Sequence, residues 1–236
     1  MVQKQNLKHI FFDLDDTIWD FEKNSERILS RLFDEQGLAQ KLQNDFYTYF
    51  TAYKKKNGEL WQLYNTKKIT KDELRKRRFH ETFLQFGYND FDLSWFISES
   101  YIQLSPYGTE LKKGSIELLD TLSANYKLHV ITNGFKEVQH IKLKQCDLHK
   151  YFDNVIISED VGHNKPNLEI FKEAERLSYT SKEACLMIGD NYEADIQGAK
   201  KAGWQTIWYN PQKNKRIQTT QVHCLTEIVT HFKENP

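Results

Sequence analysis

Residues 11–17 read Phe-Phe-Asp-Leu-Asp-Asp-Thr, an apolar run that stops abruptly in a cluster of carboxylates. The apolar part predicts a buried strand, and the carboxylates follow where that strand ends. Carboxylates are costly to bury unless they are paired, protonated or bound to a cation. The pattern Asp13-x-Asp15 at a strand end therefore indicates a bound cation or a reaction at this position.

Short apolar runs of this kind recur along the chain and alternate with amphipathic helical patterns. The apolar runs occupy residues 10–14, 127–131, 155–157, 185–188 and 206–209. The helical patterns between them occupy residues 114–125, 137–146, 168–177 and 192–202. Near-continuous apolar runs are typical of strands that are covered on both faces, as in a parallel sheet. The alternation predicts an α/β fold with a Rossmann-like three-layer core and a parallel sheet.

The interval 20–105 differs from the rest because it contains helical patterns without a clear buried strand. It predicts an inserted α-helical cap domain. We therefore divide the chain into core 1–19, helical cap 20–105 and a continued core 106–236. Within the insertion, the segment Lys-Asn-Gly-Glu at 56–59 predicts a turn. The basic run at 75–78 is expected on a solvated helix face.

Composition narrows the class of protein. The 236 residues carry 33 basic and 33 acidic side chains, so net charge gives no reason to expect nucleic acid or a membrane surface as a partner. No apolar run approaches the roughly 20 residues that span a bilayer, and residues 1–8 lack signal-peptide character. The three cysteines are scattered, which fits a reducing compartment. These features predict a cytoplasmic protein.

Polar residues that can carry chemistry follow four of the predicted strands in chain order. They are Asp13, Asp15 and Thr17 after the first strand, Thr132, Asn133 and Gly134 after the second, Lys165 in the loop after the third, and Asp190 and Asp195 after the fourth. Ligands of open parallel α/β sheets bind outside the carboxyl ends of the strands. The four signals are therefore expected to meet at one site.

The order and spacing of these residues resemble the motifs of the haloacid dehalogenase-like (HAD) hydrolase superfamily, over both core segments. The resemblance implies a Mg²⁺-dependent phosphate monoester hydrolase that acts through an aspartyl-phosphate intermediate. Mn²⁺ is the alternative metal. The acid at Asp15 favours phosphoryl transfer over dehalogenation, because a departing halide needs no proton.

The resemblance also implies a role for each carboxylate. Asp13 would be the nucleophile, and Asp15 would protonate the leaving alcohol and then activate water. The metal would be held by the side chains of Asp13 and Asp190 and by the backbone carbonyl of Asp15. Asp195 would touch the metal or orient its neighbours, and the choice between these two roles stays open. Asn191 is expected to help to position Asp190 or Lys165.

The remaining motif residues would hold the phosphoryl group. Lys165 would pair with the nucleophile and the phosphoryl oxygens. The Thr132 hydroxyl and the Asn133 backbone N–H would bind equatorial oxygens, with Gly134 beside them. These roles again come from the resemblance rather than from spacing.

The segment 13–21, Asp-Leu-Asp-Asp-Thr-Ile-Trp-Asp-Phe, resembles the branch that contains pyrimidine-preferring nucleoside 5′-monophosphatases. This implies a small phosphorylated metabolite, a nucleotide, as the substrate. Trp19 and Phe21 follow the catalytic loop, and one of them is expected to face that substrate. A phosphoglycolate- or sugar-phosphate phosphatase, a phosphomutase and a non-catalytic binding module are the alternatives. Monomer and homodimer are both compatible with the sequence.

Overall fold

A computed structural model describes residues 2–213 and 219–234 and divides the chain into two compact units. The core unit comprises the chain up to Phe21 and from Thr109 onward. The helical unit comprises Glu22–Gly108. The sequence places the corresponding boundaries at residues 19/20 and 105/106.

Within the described residues, six strands form one parallel sheet in the core unit. They are β1 (His9–Phe12), β2 (Lys127–Thr132), β3 (Phe152–Ile157), β4 (Cys185–Gly189), β5 (Gln205–Tyr209) and β6 (Gln221–Val222). Their order is β3-β2-β1-β4-β5-β6. The α/β class with a parallel sheet is confirmed. The two-residue strand β6 was not predicted, since so short a segment gives no apolar run.

The helices of the helical unit are α1 (Phe21–Glu35, which begins at the last core residue), α2 (Leu38–Leu42), α3 (Phe46–Asn65), α4 (Lys71–Gln85) and α5 (Phe91–Leu104). Those of the core unit are α6 (Ser115–Ser123), α7 (Lys136–Gln145), α8 (Ser158–Val161), α9 (Leu168–Leu177), a π-helical turn (Tyr192–Gln197), α10 (Gly198–Ala202) and α11 (Leu225–Glu234). Across residues 2–213 and 219–234, no helix combines the length and apolar character that crossing a membrane requires.

Strand β1 lies in the middle of the sheet and is buried on both faces. Ile10 and Phe12 belong to one apolar cluster, and Phe11 belongs to another. All three side chains are fully buried. Because successive side chains of a strand point to opposite faces, a doubly covered strand needs a continuous apolar sequence. This explains why the run ends in carboxylates only where the strand leaves the core.

Two helix ends carry residues that are suited to capping them. Asn167 is the N-cap of α9, and its side-chain Oδ1 accepts a hydrogen bond from the Glu169 backbone N–H at 2.9 Å. Gly203 ends α10 in the left-handed conformation with φ 86°. Both residues have the capping chemistry that these positions favour.

Helix α3 contradicts the turn that the sequence predicted at 56–59. The helix runs through this segment without interruption. Tyr53, Asn57 and Leu60 are all buried at helical spacing. The packing of this face outweighs the low helix propensity of Gly58.

Helix α4 carries the basic run at 75–78, which was expected on a solvated face. Arg77 fits that expectation, since its side chain is 39% exposed and pairs with Glu81 at 2.5 Å. Arg78 does not, because it is buried. Its guanidinium carbon lies 4.9 Å from the ring centroid of Tyr101 and 5.1 Å from that of Phe79. Cation–π contact with two rings offsets part of the cost of burying this charge.

Two histidines lie side by side on neighbouring strands of the sheet. The distance from His9 Nδ1 to His129 Nε2 is 3.0 Å, and the two rings stack with centroids 5.2 Å apart. Burial lowers the pKa of His129 to about 3, and the neighbouring His9 and Lys127 add to this shift. Neutral His129 is therefore the form that the fold accommodates.

Acid should weaken the fold through His129. Its pKa is about 3 in the folded chain and 6.5 in a model peptide, so the unfolded chain binds more protons between these values. The stability from neutral His129 is complete above pH 6.5 and is lost as pH falls towards 3. In urea titrations, His129→Gln should reduce the loss of unfolding free energy between pH 7.5 and 5 by about 2 kcal/mol.

The exposed His149 provides the matched control. The variant His149→Gln should keep the pH dependence of the wild type. An unchanged pH dependence in His129→Gln would contradict the assignment.

Candidate active site

The chemistry-bearing residues of the core unit lie at the carboxyl ends of three adjacent strands. Asp13 directly follows β1, Thr132 is the last residue of β2, and Asp190 directly follows β4. Because β2, β1 and β4 are parallel neighbours, their carboxyl ends share one edge of the sheet. The structure thus brings three of the four predicted signals to one edge by topology alone, and side-chain contacts bring in the fourth.

Lys165 supplies the fourth signal as a fully buried cation. Its Nζ lies 2.6 Å from Asp13 Oδ1 and 2.6 Å from Asp195 Oδ1. The ammonium also donates to the Ile131 carbonyl at 2.7 Å. Burial disfavours its charge, but the two carboxylates outweigh burial and raise the pKa of Lys165. An ammonium has three N–H bonds, and each has an acceptor here.

Three carboxylates lie close together beside the single ammonium of Lys165. Oxygens of Asp13, Asp190 and Asp195 all lie within 4.8 Å of one another. Burial raises the pKa of Asp13 to about 7; Lys165 opposes this shift, and neighbouring carboxylates add to it. Desolvation also raises the pKa of Asp190 well above its usual range. A concentrated set of oxygen donors that resist ionisation fits a hard divalent cation such as Mg²⁺.

Asp190 is held in place by two residues outside its own loop. The Thr17 hydroxyl donates to Asp190 Oδ1 at 3.1 Å and accepts from the Asp190 backbone N–H at 3.0 Å. The indole N–H of Trp208 donates to the Asp190 carbonyl at 2.8 Å. Trp208, on β5, was not predicted. It looks like an ordinary strand aromatic, and its position beside Asp190 follows only from strand order.

Asp195 and Asn191 follow the candidate metal ligand Asp190 in the chain and are hydrogen-bonded to each other. Asp195 is buried in the π-helical turn; its Oδ1 pairs with Lys165 and its Oδ2 accepts the Asn191 backbone N–H at 3.0 Å. A Cβ on Gly189 would lie 2.2 Å from Asp195 Oδ2, so any larger residue there would force the Asp195 side chain to move. Each oxygen of Asp195 accepts one contact from the protein, and the choice between orienting Lys165 and touching a metal stays a prediction.

The loop after β2 is tied to the loop that carries Lys165. The Asn133 side chain donates to the Lys165 carbonyl at 2.9 Å and accepts from the Lys165 backbone N–H at 2.8 Å. The Thr132 hydroxyl accepts from the Gly134 backbone N–H at 3.0 Å. It also accepts from Gln139 Nε2 at 2.6 Å. These contacts fix both loops relative to the strand ends.

Asp15 is held by two residues that sequence reasoning missed. Gln139 Nε2 lies 2.9 Å from Asp15 Oδ2, and Lys142 Nζ lies 2.6 Å from Asp15 Oδ1. Both side chains come from α7 and are buried. A signal existed in the sequence, because polar residues three apart occupy the face of this amphipathic helix that also carries buried Leu143.

The sequence offers Trp19 and Phe21 as residues that contact the substrate, and the structure places the two rings differently. Trp19 is fully buried within the apolar cluster of the core unit. A ring without exposed surface offers no face to a substrate, so the substrate-contact assignment is wrong for Trp19. Phe21 is partly buried against the same cluster. Its contact with substrate stays a prediction.

Comparison with known proteins places this geometry in context. The sequence model of the haloacid dehalogenase-like hydrolases matches residues 7–203. Pyrimidine 5′-nucleotidase PynA of Streptococcus pneumoniae (strain ATCC BAA-255 / R6) is 38% identical over 234 residues, which cover 97% of this chain and 96% of that protein. Pyrimidine 5′-nucleotidase YjjG of Escherichia coli (strain K12) is 32% identical over 202 residues, 85% of each chain. The magnesium-bound structure of the HAD-hydrolase YfnB from Bacillus subtilis superimposes with a TM-score of 0.87 at 30% identity, over 97% of this chain and 100% of that one.

Removing the ammonium of Lys165 should destabilise the fold, because this charge offsets the repulsion between two buried carboxylates. In Lys165→Met, Asp13 and Asp195 face each other without a counter-charge. The free energy of unfolding, measured by urea titration in EDTA, should fall by about 3 kcal/mol. The double variant Lys165→Met/Asp195→Asn should recover part of this loss, because one of the two charges is gone. Equal stability of the wild type and the single variant would contradict the ion cluster.

Proposed function

This chain belongs to the haloacid dehalogenase-like hydrolase family, and we propose that it hydrolyses phosphate monoesters through an aspartyl-phosphate on Asp13. The observation that carries the proposal is that Asp13 and Asp15, although only two residues apart in the chain, have different partners. Asp13 pairs with Lys165 on one side, whereas Asp15 pairs with Gln139 and Lys142 on the other. Two neighbouring carboxylates in different environments are suited to different roles, one as a nucleophile and one as an acid/base.

The proposed reaction has two steps. In the first, an Asp13 oxygen attacks phosphorus and the bond from phosphorus to the alcohol oxygen breaks. The alcohol oxygen takes the bonding electron pair and receives a proton from Asp15. In the second, water attacks phosphorus while Asp15 accepts its proton, and the bond to Asp13 breaks. Inorganic phosphate leaves, and both carboxyl groups return to their initial states.

A divalent metal would be held by the side chains of Asp13 and Asp190 and by the Asp15 carbonyl. When bound, Mg²⁺ neutralises negative charge on the carboxylates and the phosphoryl oxygens. Mn²⁺ accepts the same oxygen donors and is the alternative. In support, burial raises the pKa values of Asp13 and Asp190, and the negative charge of neighbouring carboxylates adds to both shifts.

The loop after β2 provides the donors for the phosphoryl oxygens. A hydroxyl group has two acceptor positions and one O–H donor. The Thr132 hydroxyl uses both acceptor positions, for Gly134 and Gln139, so its own hydrogen is available for an anion. The Asn133 backbone N–H is the second proposed donor. Preorganised donors of this kind stabilise the charge that develops during phosphoryl transfer.

For the substrate we propose a pyrimidine nucleoside 5′-monophosphate. The support is the similarity to two proteins named pyrimidine 5′-nucleotidase, at 38% and 32% identity over most of the chain. Phosphoglycolate, sugar phosphates and a mutase reaction on the same scaffold are the competing candidates. A cytoplasmic location and the choice between monomer and homodimer stay predictions from the sequence.

A substrate panel tests this proposal. We expect kcat/KM for dUMP, UMP and dTMP to exceed that for AMP, phosphoglycolate and hexose phosphates by about 10-fold or more, the scale that a few pocket contacts give. EDTA should abolish phosphate release, and added Mg²⁺ should restore it.

Equal rates across the panel would contradict the nucleotidase assignment and leave the phosphatase assignment intact. The absence of Mg²⁺-dependent turnover on every ester would contradict both. Isomerisation of a hexose 1-phosphate that depends on added bisphosphate would instead indicate a phosphomutase.

A further inference from the structure

We propose that Gln139 and Lys142 of α7 are positioning residues that hold the carboxyl group of the acid/base Asp15 in one orientation. This inference rests on the proposed function, because it takes Asp15 to be the group that protonates the leaving alcohol. It adds two residues that lie outside the strand-end motifs.

Each oxygen of Asp15 has its own partner on α7. Oδ2 accepts from Gln139 Nε2 at 2.9 Å, and Oδ1 accepts from Lys142 Nζ at 2.6 Å. The Asp15 side chain is itself 26% exposed, whereas that of Lys142 is only 6% exposed. Solvent can therefore compete for Asp15, and two buried donors hold its carboxyl plane in one orientation. Acid catalysis needs such control, because small misplacements of a proton donor are costly.

Lys142 is fixed in turn by Trp19. Its Nζ lies 4.3 Å from the centroid of the Trp19 ring, which is fully buried. A desolvated ammonium over an indole face is among the stronger cation–π contacts. Trp19 also bridges back to Asp15 through the backbone. The aromatic residue that does not face substrate therefore supports the cation that holds the acid/base.

Gln139 connects the acid/base to the phosphoryl-binding loop. Its amide nitrogen carries two hydrogens and donates to both Asp15 and Thr132. A Cβ on Gly134 would lie 1.9 Å from this nitrogen and 3.1 Å from Asp15 Oδ2. Glycine at 134 thus leaves the space that the Gln139 amide occupies. The proton donor and one phosphoryl-binding hydroxyl are consequently held by a single side chain.

The orientation of Asp15 matters most in the first proposed step, in which Asp15 gives a proton to the leaving alcohol. Lys142, 2.6 Å from Asp15 Oδ1, helps to hold the carboxyl group in place for that transfer. A substrate whose leaving oxygen needs no proton does not draw on this interaction. The alkoxide of a nucleoside is a poor leaving group unless it is protonated, whereas p-nitrophenolate is a stable anion that leaves without a proton. Dependence on the leaving group therefore distinguishes a positioning role from a purely structural one.

The test compares kcat/KM for a nucleoside monophosphate and for p-nitrophenyl phosphate, because kcat/KM reports the steps up to release of the alcohol. We expect Lys142→Met to lower the nucleotide value about 100-fold, the scale of general acid catalysis, and the p-nitrophenyl value by less than about 3-fold. Lys144→Met is the matched control, since Lys144 is exposed on the same helix, and it should change neither value.

A double-variant cycle then asks whether Lys142 acts through Asp15. In an Asp15→Asn background, adding Lys142→Met should cause little further loss for the nucleotide. Equal loss for both substrates, no loss for either, or the same loss in both backgrounds would overturn the positioning role.

Gln139→Met provides a second variant if Lys142→Met folds poorly, which thermal unfolding will show. It should lower kcat/KM for both substrates, because it also removes the Gln139 contact with the Thr132 hydroxyl, and it should lower the nucleotide value further. An equal loss for both substrates would count against the inference. If Asp15→Asn itself lowered kcat/KM equally for both substrates, the acid role of Asp15 would fail and the inference with it. If Asp15→Asn is selective and neither α7 variant is, only the positioning role fails.

Discussion

The structure of the site depends on one buried interaction, the ammonium of Lys165 between Asp13 and Asp195. Both pairs are 2.6 Å long, and a third bond reaches the Ile131 carbonyl. Without this cation, two desolvated carboxylates would repel each other beside the end of β1. The cation also constrains the chain, because the backbone around Lys165 is held by Asn133. The loops after β2, β3 and β4 are thus fixed by a single charge cluster.

A second group of contacts keeps Asp15 out of that cluster. Gln139 and Lys142 draw its carboxylate towards α7, although Asp15 is only two residues from Asp13. Chemically similar side chains can therefore serve different steps of one reaction. Glycines at 134 and 189 make the arrangement possible, because a Cβ at either position would collide with Gln139 or Asp195. The separation of the two carboxylates follows from packing as much as from charge.

Much of this arrangement could be predicted from the sequence, and the reasons for the exceptions are physical. Strand ends carry local signals, so Asp13, Thr132 and Asp190 were identified from apolar runs that stop at polar residues. Lys142 carries only the weaker signal of a polar residue on one face of an amphipathic helix, and Trp208 carries none. Their contacts arise only when α7 and β5 pack beside the loops. Trp19 was misassigned because proximity in sequence does not reveal which way a ring points. The turn expected at 56–59 failed for a related reason, since burial of one helix face outweighed the local preference of Gly58.

The most direct test of the central claim is to trap the covalent intermediate. Wild-type protein, Asp13→Asn and the control Asp16→Asn would each be mixed with Mg²⁺ and p-nitrophenyl phosphate, quenched in acid and analysed by peptide mass spectrometry. Asp16 occupies a left-handed turn position with φ 61°, which asparagine tolerates. We predict one added phosphoryl group on Asp13 in the wild type and in Asp16→Asn, and none in Asp13→Asn. A phosphoryl group on any other residue, or wild-type turnover by Asp13→Asn, would contradict the nucleophilic role of Asp13.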